Sequence, residues 1–489
     1  MSFALNSPAS PARETQVLFV AGASDHTQDL PVPERSHISQ SLAQASHPPV
    51  SLNDDSFLVP MKDGNRTPDA GPAPSSTASA RPTIVRNGFV SVQVNVNAGG
   101  NNVAGDAANE PSIAVDPTNP NRMAIGWRQF NTTASNFREA GRGYTQNGGQ
   151  SWTFPGVLTP GNFRSDPVLA SDSTGQFFYY SLSTTTSVEM FRSSDGGVNW
   201  SAPVPAFGGD KAWMTIDTTG GMGNNHIYAT WQRFFSCCDD QIFTRSITGG
   251  TSFQQPVTIP ESPLFGTIAV GGDGAVYVSG NRGVDFQDFD TFVVARSSNA
   301  QNPALSPTFE HSTVVDMGGS LVLGDGPNPA GLLGQTWIAT DHSNGPTQGN
   351  VYMLATVDPP GPDPADITFS RSTDRGATWS APIRVNDDPT STNAWQWFGT
   401  MSVAPNGRID VVFNDTRTSG MDNVSETFMT FSLDGGLTWS DNIAMTPSWN
   451  SHIGWPNQNK IGDYYHMVSD NQGAHLAYSA TFTGGQDVY

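Results

Sequence analysis

Four acids, two adjacent tyrosines and four arginines supply the residue types from which a hydrolytic or carboxylate-reading site could be built. Glu110, Asp166, Asp210 and Asp463 each stand where a short apolar run begins. Most glycoside hydrolysis needs two carboxyl groups flanking the bond that breaks. Tyr464 and Tyr465 directly follow Asp463 and offer a phenolic nucleophile. Arg128, Arg233, Arg282 and Arg417 each follow another apolar run, and the planar guanidinium fork reads a carboxylate through two parallel hydrogen bonds. Trp397 could stack on a sugar face. Each residue also has a plainer role. Acids at such places cap turns, an arginine pairs with a nearby acid as Arg417 would with Asp415, and tryptophan more often packs between strands.

Cys237-Cys238-Asp239-Asp240 follows Trp231 and Arg233 in sequence. Adjacent cysteines can pair only with each other, in a vicinal disulfide, or stay as thiols. The pair with its two acids could also hold a soft metal, although no histidine has suitable spacing nearby. Asn386-Asp387-Asp388 and the stretch Asp285–Asp290 are acid-rich enough to bind calcium, but neither matches an EF-hand loop. No cofactor is required by any motif in the chain.

The elements that position these residues are strands. Glycine at 50 and proline at 36 punctuate the chain, 12 tryptophans and 27 phenylalanines must be buried, and long helical periodicities are missing. A turn recurs: Ser193-Ser194-Asp195-Gly196-Gly197-Val198-Asn199-Trp200, then Ser372 to Trp379 around Asp374, then Ser432 to Trp439 around Asp434. Weaker copies run from Thr145 to Trp152 and from Ser246 to Phe253. In such a turn the Asp accepts backbone N–H groups, a glycine takes positive φ, and the aromatic residue folds back to seal one sheet against the next. Recurrence at blade-sized spacing calls for a repeat architecture.

The pattern S-x-D-x-G-x-T-W resembles the Asp box (BNR repeat) of the sialidase-like superfamily of β-propellers, and the resemblance spans roughly the last four hundred residues. It implies an all-β propeller of four-stranded blades in which Asp195, Asp374, Asp434, Trp200, Trp379 and Trp439 are structural and lie away from the active site. It also implies a ligand site at the channel end, where sialidases bind the sugar carboxylate with three arginines and use a tyrosine nucleophile, a glutamate and an aspartate acid/base. On this resemblance Asp463, Tyr464, Tyr465, Asp166 and Glu110 are the catalytic candidates. Arg128, Arg233, Arg282, Arg417 and Trp397 are the substrate-binding ones. One departure matters: the Phe/Tyr-Arg-Ile-Pro sequence of the family has no counterpart here.

Seven candidate first strands begin at Pro111, Pro167, Trp213, Gly266, Gln335, Gly399 and Gly462, each followed by a second strand. The seventh unit has no box and reaches only Asp487-Val488-Tyr489, so the alternating run Phe89–Val96 is expected to close the ring. Seven blades are favoured, with six as the alternative because sialidases have six.

Residues 1–87, rich in Ser, Ala and Pro, read as an extended arm and linker that could tether a protein partner, and residues 88–489 as the propeller. A net charge of −21 argues against nucleic acid as partner. No apolar run approaches the about 18 residues of a membrane span, and no signal peptide is recognisable at the N-terminus. The expectation is an extracellular protein exported by another route, with the cytoplasm as the alternative. Two functions follow: a sialidase-like exo-glycosidase acting on or binding a terminal acidic sugar, or a non-catalytic propeller that binds a glycan, a glycoprotein or a protein.

Overall fold

The computed structural model describes residues 83–489, apart from 185, 285–287 and 391. The expected arm, residues 1–87, lies almost wholly outside the described residues. Every described element is a β-strand, and the strands form a β-propeller.

Six antiparallel sheets of three to five strands are its six blades, the alternative count. Their first strands are Ala107–Val115, Ser165–Ser171, Trp213–Ile216, Ile268–Val270, Trp337–Thr340 and Gln396–Val403. The seventh start does not build a four-stranded sheet. It gives two short ladders, His466–Ser469 with Ala474–Ala477 and Ser479–Ala480 with Asp487–Val488. This unit lies between the sixth blade and the first. The Ser469 N–H donates to Ser402 Oγ on one side, and His466 Nδ1 meets Ser112 Oγ at 2.7 Å on the other.

Ring closure uses the N-terminal segment, but not along its whole expected length. Val94 N–H donates to the Val488 carbonyl at 2.8 Å, and Asn95 Nδ2 to Asp487 Oδ1 at 2.8 Å. Phe89–Val92 instead pairs with Thr83–Arg86 in a hairpin. The reason is local. Asn87-Gly88 takes φ of 51° and 87°, a two-residue turn that matches the twist of a hairpin.

The repeated turns follow their sequence logic. Asp374 Oδ1 accepts the Thr378 N–H at 2.8 Å, Asp434 Oδ1 the Thr438 N–H at 2.9 Å, and Asp195 Oδ1 the Asn199 N–H at 2.9 Å. The weaker copies keep the bond with another oxygen: Asn147 Oδ1 and Thr248 Oγ1 each accept one at 3.1 Å. Trp439 then packs edge-on against Phe369 of the preceding blade, with ring centroids 5.2 Å apart.

The turn fits more loosely in one place. A Cβ on Gly436 would meet Phe369 at 2.1 Å, so the turn sits hard against the fifth blade. The matching Gly149 of the first blade would meet only its own Trp152, at 3.9 Å. It faces the seventh unit across an apolar groove of about 190 Å³ lined by Val92, Ile113, Met123, Trp152, Leu476 and Tyr478.

The central channel is filled. Trp213 meets Trp337 and Tyr464 edge-on at 5.1 Å each and His466 at 5.3 Å. Such ring pairs add about 0.5–1.5 kcal/mol each beyond burial. Burial pushes the His466 imidazole down to about 3, so it is a neutral member of this packing.

Candidate functional site

The six first strands and the seventh unit each have a positive-φ residue at or near their start. Glu110, Asp166, Lys211, Phe265 and Phe398 have φ between 47° and 57°, and Gly334 and Gly462 occupy the remaining two entrances. A side-chain-bearing residue rarely adopts this conformation, and here it breaks the strand ladder. The register shifts between Asn109 and Ser112 and between Ser165 and Val168 mark two of these bulges. The result gathers entrance residues at one end of the filled channel.

Three of the five expected catalytic residues meet there. Glu110, Asp166 and Asp463 are all buried, together with Asp210. Lys460 Nζ lies 2.7 Å from Asp463 Oδ2 and 3.7 Å from Glu110 Oε1. Lys211 Nζ lies 2.8 Å from the same Asp463 oxygen and 3.2 Å from Asp210 Oδ1. Its backbone N–H donates to Asp166 Oδ2 at 3.1 Å. Arg128 Nε is 3.1 Å from Glu110 Oε2, and Arg138 Nε donates to Ser165 Oγ at 3.0 Å. Four carboxylates and four cations therefore share one buried cluster.

Burial and charge split these groups. Burial pushes Glu110 up to about 7, with Asp463 and Asp166 adding to it and Arg128 and Lys460 opposing. Burial likewise brings Asp210 to about 6. For Asp463 burial acts in the same direction, but Lys211 and Lys460 outweigh it and hold the carboxyl well below its usual range. Lys460 is lowered, because burial and the neighbouring Lys211 outweigh its carboxylates.

The tyrosines are tied. Tyr464 OH donates to the Pro167 carbonyl at 2.9 Å. Tyr465 OH donates to the Ser479 carbonyl at 2.6 Å and accepts Asn414 Nδ2 at 3.1 Å. Burial pushes both phenols well above their usual value. Three arginines do not reach the cluster. Arg233 pairs with Asp240 at 3.0 Å, Arg282 with Glu261 at 2.7 Å, and Arg417 with Asp415 at 2.8 Å and with Asp387. Trp397 is fully buried and donates to Ser425 Oγ at 3.0 Å.

The cluster opens into a cavity of about 30 Å³, room for about two water molecules. Its lining combines the charged Asp210, Lys211, Lys460 and Asp463 with the apolar Phe235, Phe265 and Leu332. Gln232 also lines it. Its amide nitrogen donates to Asp210 Oδ2, and its Oε1 is buried without a hydrogen-bond partner.

Lys211, Lys460, Arg138 and Gln232 escaped the sequence reading. A signal existed for the lysines: the chain has only three, and two of them adjoin Asp210 and Asp463.

Cys237 and Cys238 form a vicinal disulfide. Of the acid-rich stretches, Asp388 accepts Arg384 at 2.8 Å and Asp387 is held by Arg417. Asp285 to residue 287 lie outside the described residues. Among the described residues no group of three or more His, Cys, Asp or Glu is arranged to hold a metal.

No known protein family and no curated protein matches the sequence. Several solved structures are similar. The Hadza microbial sialidase is 12% identical, covering 84% of this chain and 73% of that one, with a TM-score of 0.41. A mutant of the NanB sialidase from Streptococcus pneumoniae is 9% identical over 69% and 68%, TM-score 0.45. A protein of unknown function from Dyadobacter fermentans is 12% identical over 81% and 95%, TM-score 0.45. Likeness of this degree leaves activity to the site itself.

Proposed function

We propose that this chain is a binding propeller that receives a hydroxyl-bearing group, the neutral end of a glycan or glycoprotein, at its channel mouth. One observation carries the reading. Each cation within reach of the cavity is engaged by a carboxylate, while the buried Gln232 Oε1 is an acceptor without a donor. A ligand that donates hydrogen bonds satisfies that oxygen, and Phe235 and Phe265 offer aromatic faces for C–H groups. An acidic sugar finds Arg128 already committed to Glu110 and Asn109, and Arg233, Arg282 and Arg417 each serving an acid of its own away from the cluster. In this reading the protein works outside the cell, and residues 1–87 tether it to a partner.

The test is calorimetric titration with neutral and sialylated oligosaccharides, with and without dithiothreitol, for wild type and Gln232→Leu. Binding of a neutral glycan that weakens at least tenfold in the variant supports the reading. Preference for the sialylated ligand overturns it.

A second reading keeps glycoside hydrolysis. It is favoured by Glu110 at about 7 beside an ionised Asp463, since carboxyls with separated pKa values divide into acid and base. Size weighs on both readings alike, since sugar-sized ligand sites run to about 300 Å³ or more; the obstacle particular to hydrolysis is that both tyrosine hydroxyls are tied to backbone carbonyls. Release of fluorophore from a glycoside panel, abolished in Glu110→Gln, would establish it.

A further inference from the structure

The loop bearing Cys237 and Cys238 is built into the mouth. Asp210 N–H donates to the Phe235 carbonyl at 3.1 Å, and Cys237 N–H to the Gly208 carbonyl at 3.2 Å. Gly209 and Ser236 bridge between these bonds. The approach is so close that a Cβ on Gly209 would meet Ser236 Cβ at 2.0 Å. The loop is thus zipped to the segment that leads into Asp210 and Lys211, and its Phe235 forms part of the cavity's apolar lining while remaining 39% exposed.

Three residues of this loop are left-handed without being glycine: Phe235 at φ 54°, Cys238 at 76° and Asp239 at 55°. Each such residue is disfavoured and persists only where its surroundings enforce it. The Arg233–Asp240 pair across the base of the loop, 31% and 58% exposed, is too solvated to do so. What remains is the backbone zipper to residues 208–210, which holds Phe235 and Cys237, and the covalent ring at 237–238, which acts at the left-handed Cys238 and Asp239. A bond between neighbours closes the shortest loop a chain can make, so it restricts the unfolded state least. Its effect is local.

We infer that the Cys237–Cys238 bond is a redox-sensitive latch on the channel mouth. Oxidised, it holds Phe235 against the cavity and fixes Asp210 and Lys211. Reduced, it frees the loop, and the cavity widens toward the dimensions of a ligand. Both cysteines are half-buried, so a small reductant can reach them. One thiolate of a small dithiol attacks a cysteine sulfur and forms a mixed disulfide. The second thiol of the same molecule displaces it. Two electrons and two protons pass to the protein, leaving two cysteine thiols and a cyclic disulfide of the reductant. This rests on the geometry of the mouth and holds whatever ligand enters it.

The test is hydrogen–deuterium exchange of the full chain before and after treatment with dithiothreitol, with iodoacetamide counting thiols in parallel. The expected result is no alkylation before treatment and two sites after it. Amides of Asp210 and Cys237 then exchange at least tenfold faster, while segment 107–130 keeps its rate. The double variant Cys237→Ser, Cys238→Ser should behave as the reduced protein without reductant. Free thiols in the untreated protein, unchanged exchange after full reduction, a variant that exchanges like the oxidised protein, or faster exchange throughout the chain would each overturn the latch.

Discussion

Aspartates do opposite work at the rim of the propeller and at its mouth. In the repeated turns Asp374 is exposed, and the Thr378 hydroxyl and N–H bring its carboxyl down to about 2. At the mouth Asp210 is buried, and desolvation brings it up to about 6 despite its lysine. The rim carboxylates are held by donors within four residues. The mouth carboxylates share cations, some close in the chain and some from other blades, as Lys460 and Lys211 share Asp463, and burial competes with each pairing. An Asp in this protein is therefore a local clasp or a member of a coupled network according to what lies across from it.

The largest expected effect breaks the network. Asp463→Ala leaves Lys211 and Lys460 buried around an empty position, and removing one member of a buried ion group costs about 3–5 kcal/mol. Urea unfolding would read it, and a loss below about 1 kcal/mol would make the mouth no different from the rim. Next comes the seal. Gly436 and Gly149 have φ of 81° and 79°, so alanine meets similar backbone strain at both. Only at Gly436 does it strike Phe369, and the extra loss there should be about 1–3 kcal/mol.

Asp374→Ala should cost about 1 kcal/mol in the same assay, the net worth of its turn hydrogen bonds. The smallest effect belongs to Arg282→Ala, whose pair with Glu261 is 42% and 34% exposed. Such pairs contribute about 0–1 kcal/mol.

pH separates Asp374 at the rim from Glu110 at the mouth by sign. Asp374 has a folded value of about 2 against 3.8, so its stabilisation is present above pH 3.8 and lost as pH falls toward 2. Glu110 has a folded value of about 7 against 4.5. Its contribution is fully present below pH 4.5 and is lost as pH rises through 7. Unfolding free energies at pH 4.5, 6 and 8 should therefore fall less steeply in Glu110→Gln than in wild type. An equal slope would remove Glu110 from the network.

The acids of the mouth were legible because each begins a first strand, and the strand order of a propeller brings such starts together. Arg233, Arg282 and Arg417 were not, because a carboxylate on or beside each one's own loop met it first. Phe89–Val92 followed its Asn-Gly turn into a hairpin where an alternating strand alone was read. Trp397 has the type for stacking on sugar, but its depth in the sixth blade keeps it from solvent.

The sequence by itself determined the all-β repeat and its turns, since each turn is complete within eight consecutive residues and needs no distant partner. Tertiary structure alone decided that Lys211 and Lys460 converge on one Asp463 oxygen and that a disulfide loop borders them. Those pairings join residues up to several hundred positions apart, and their energies depend on burial and mutual charge, which no stretch of chain carries by itself.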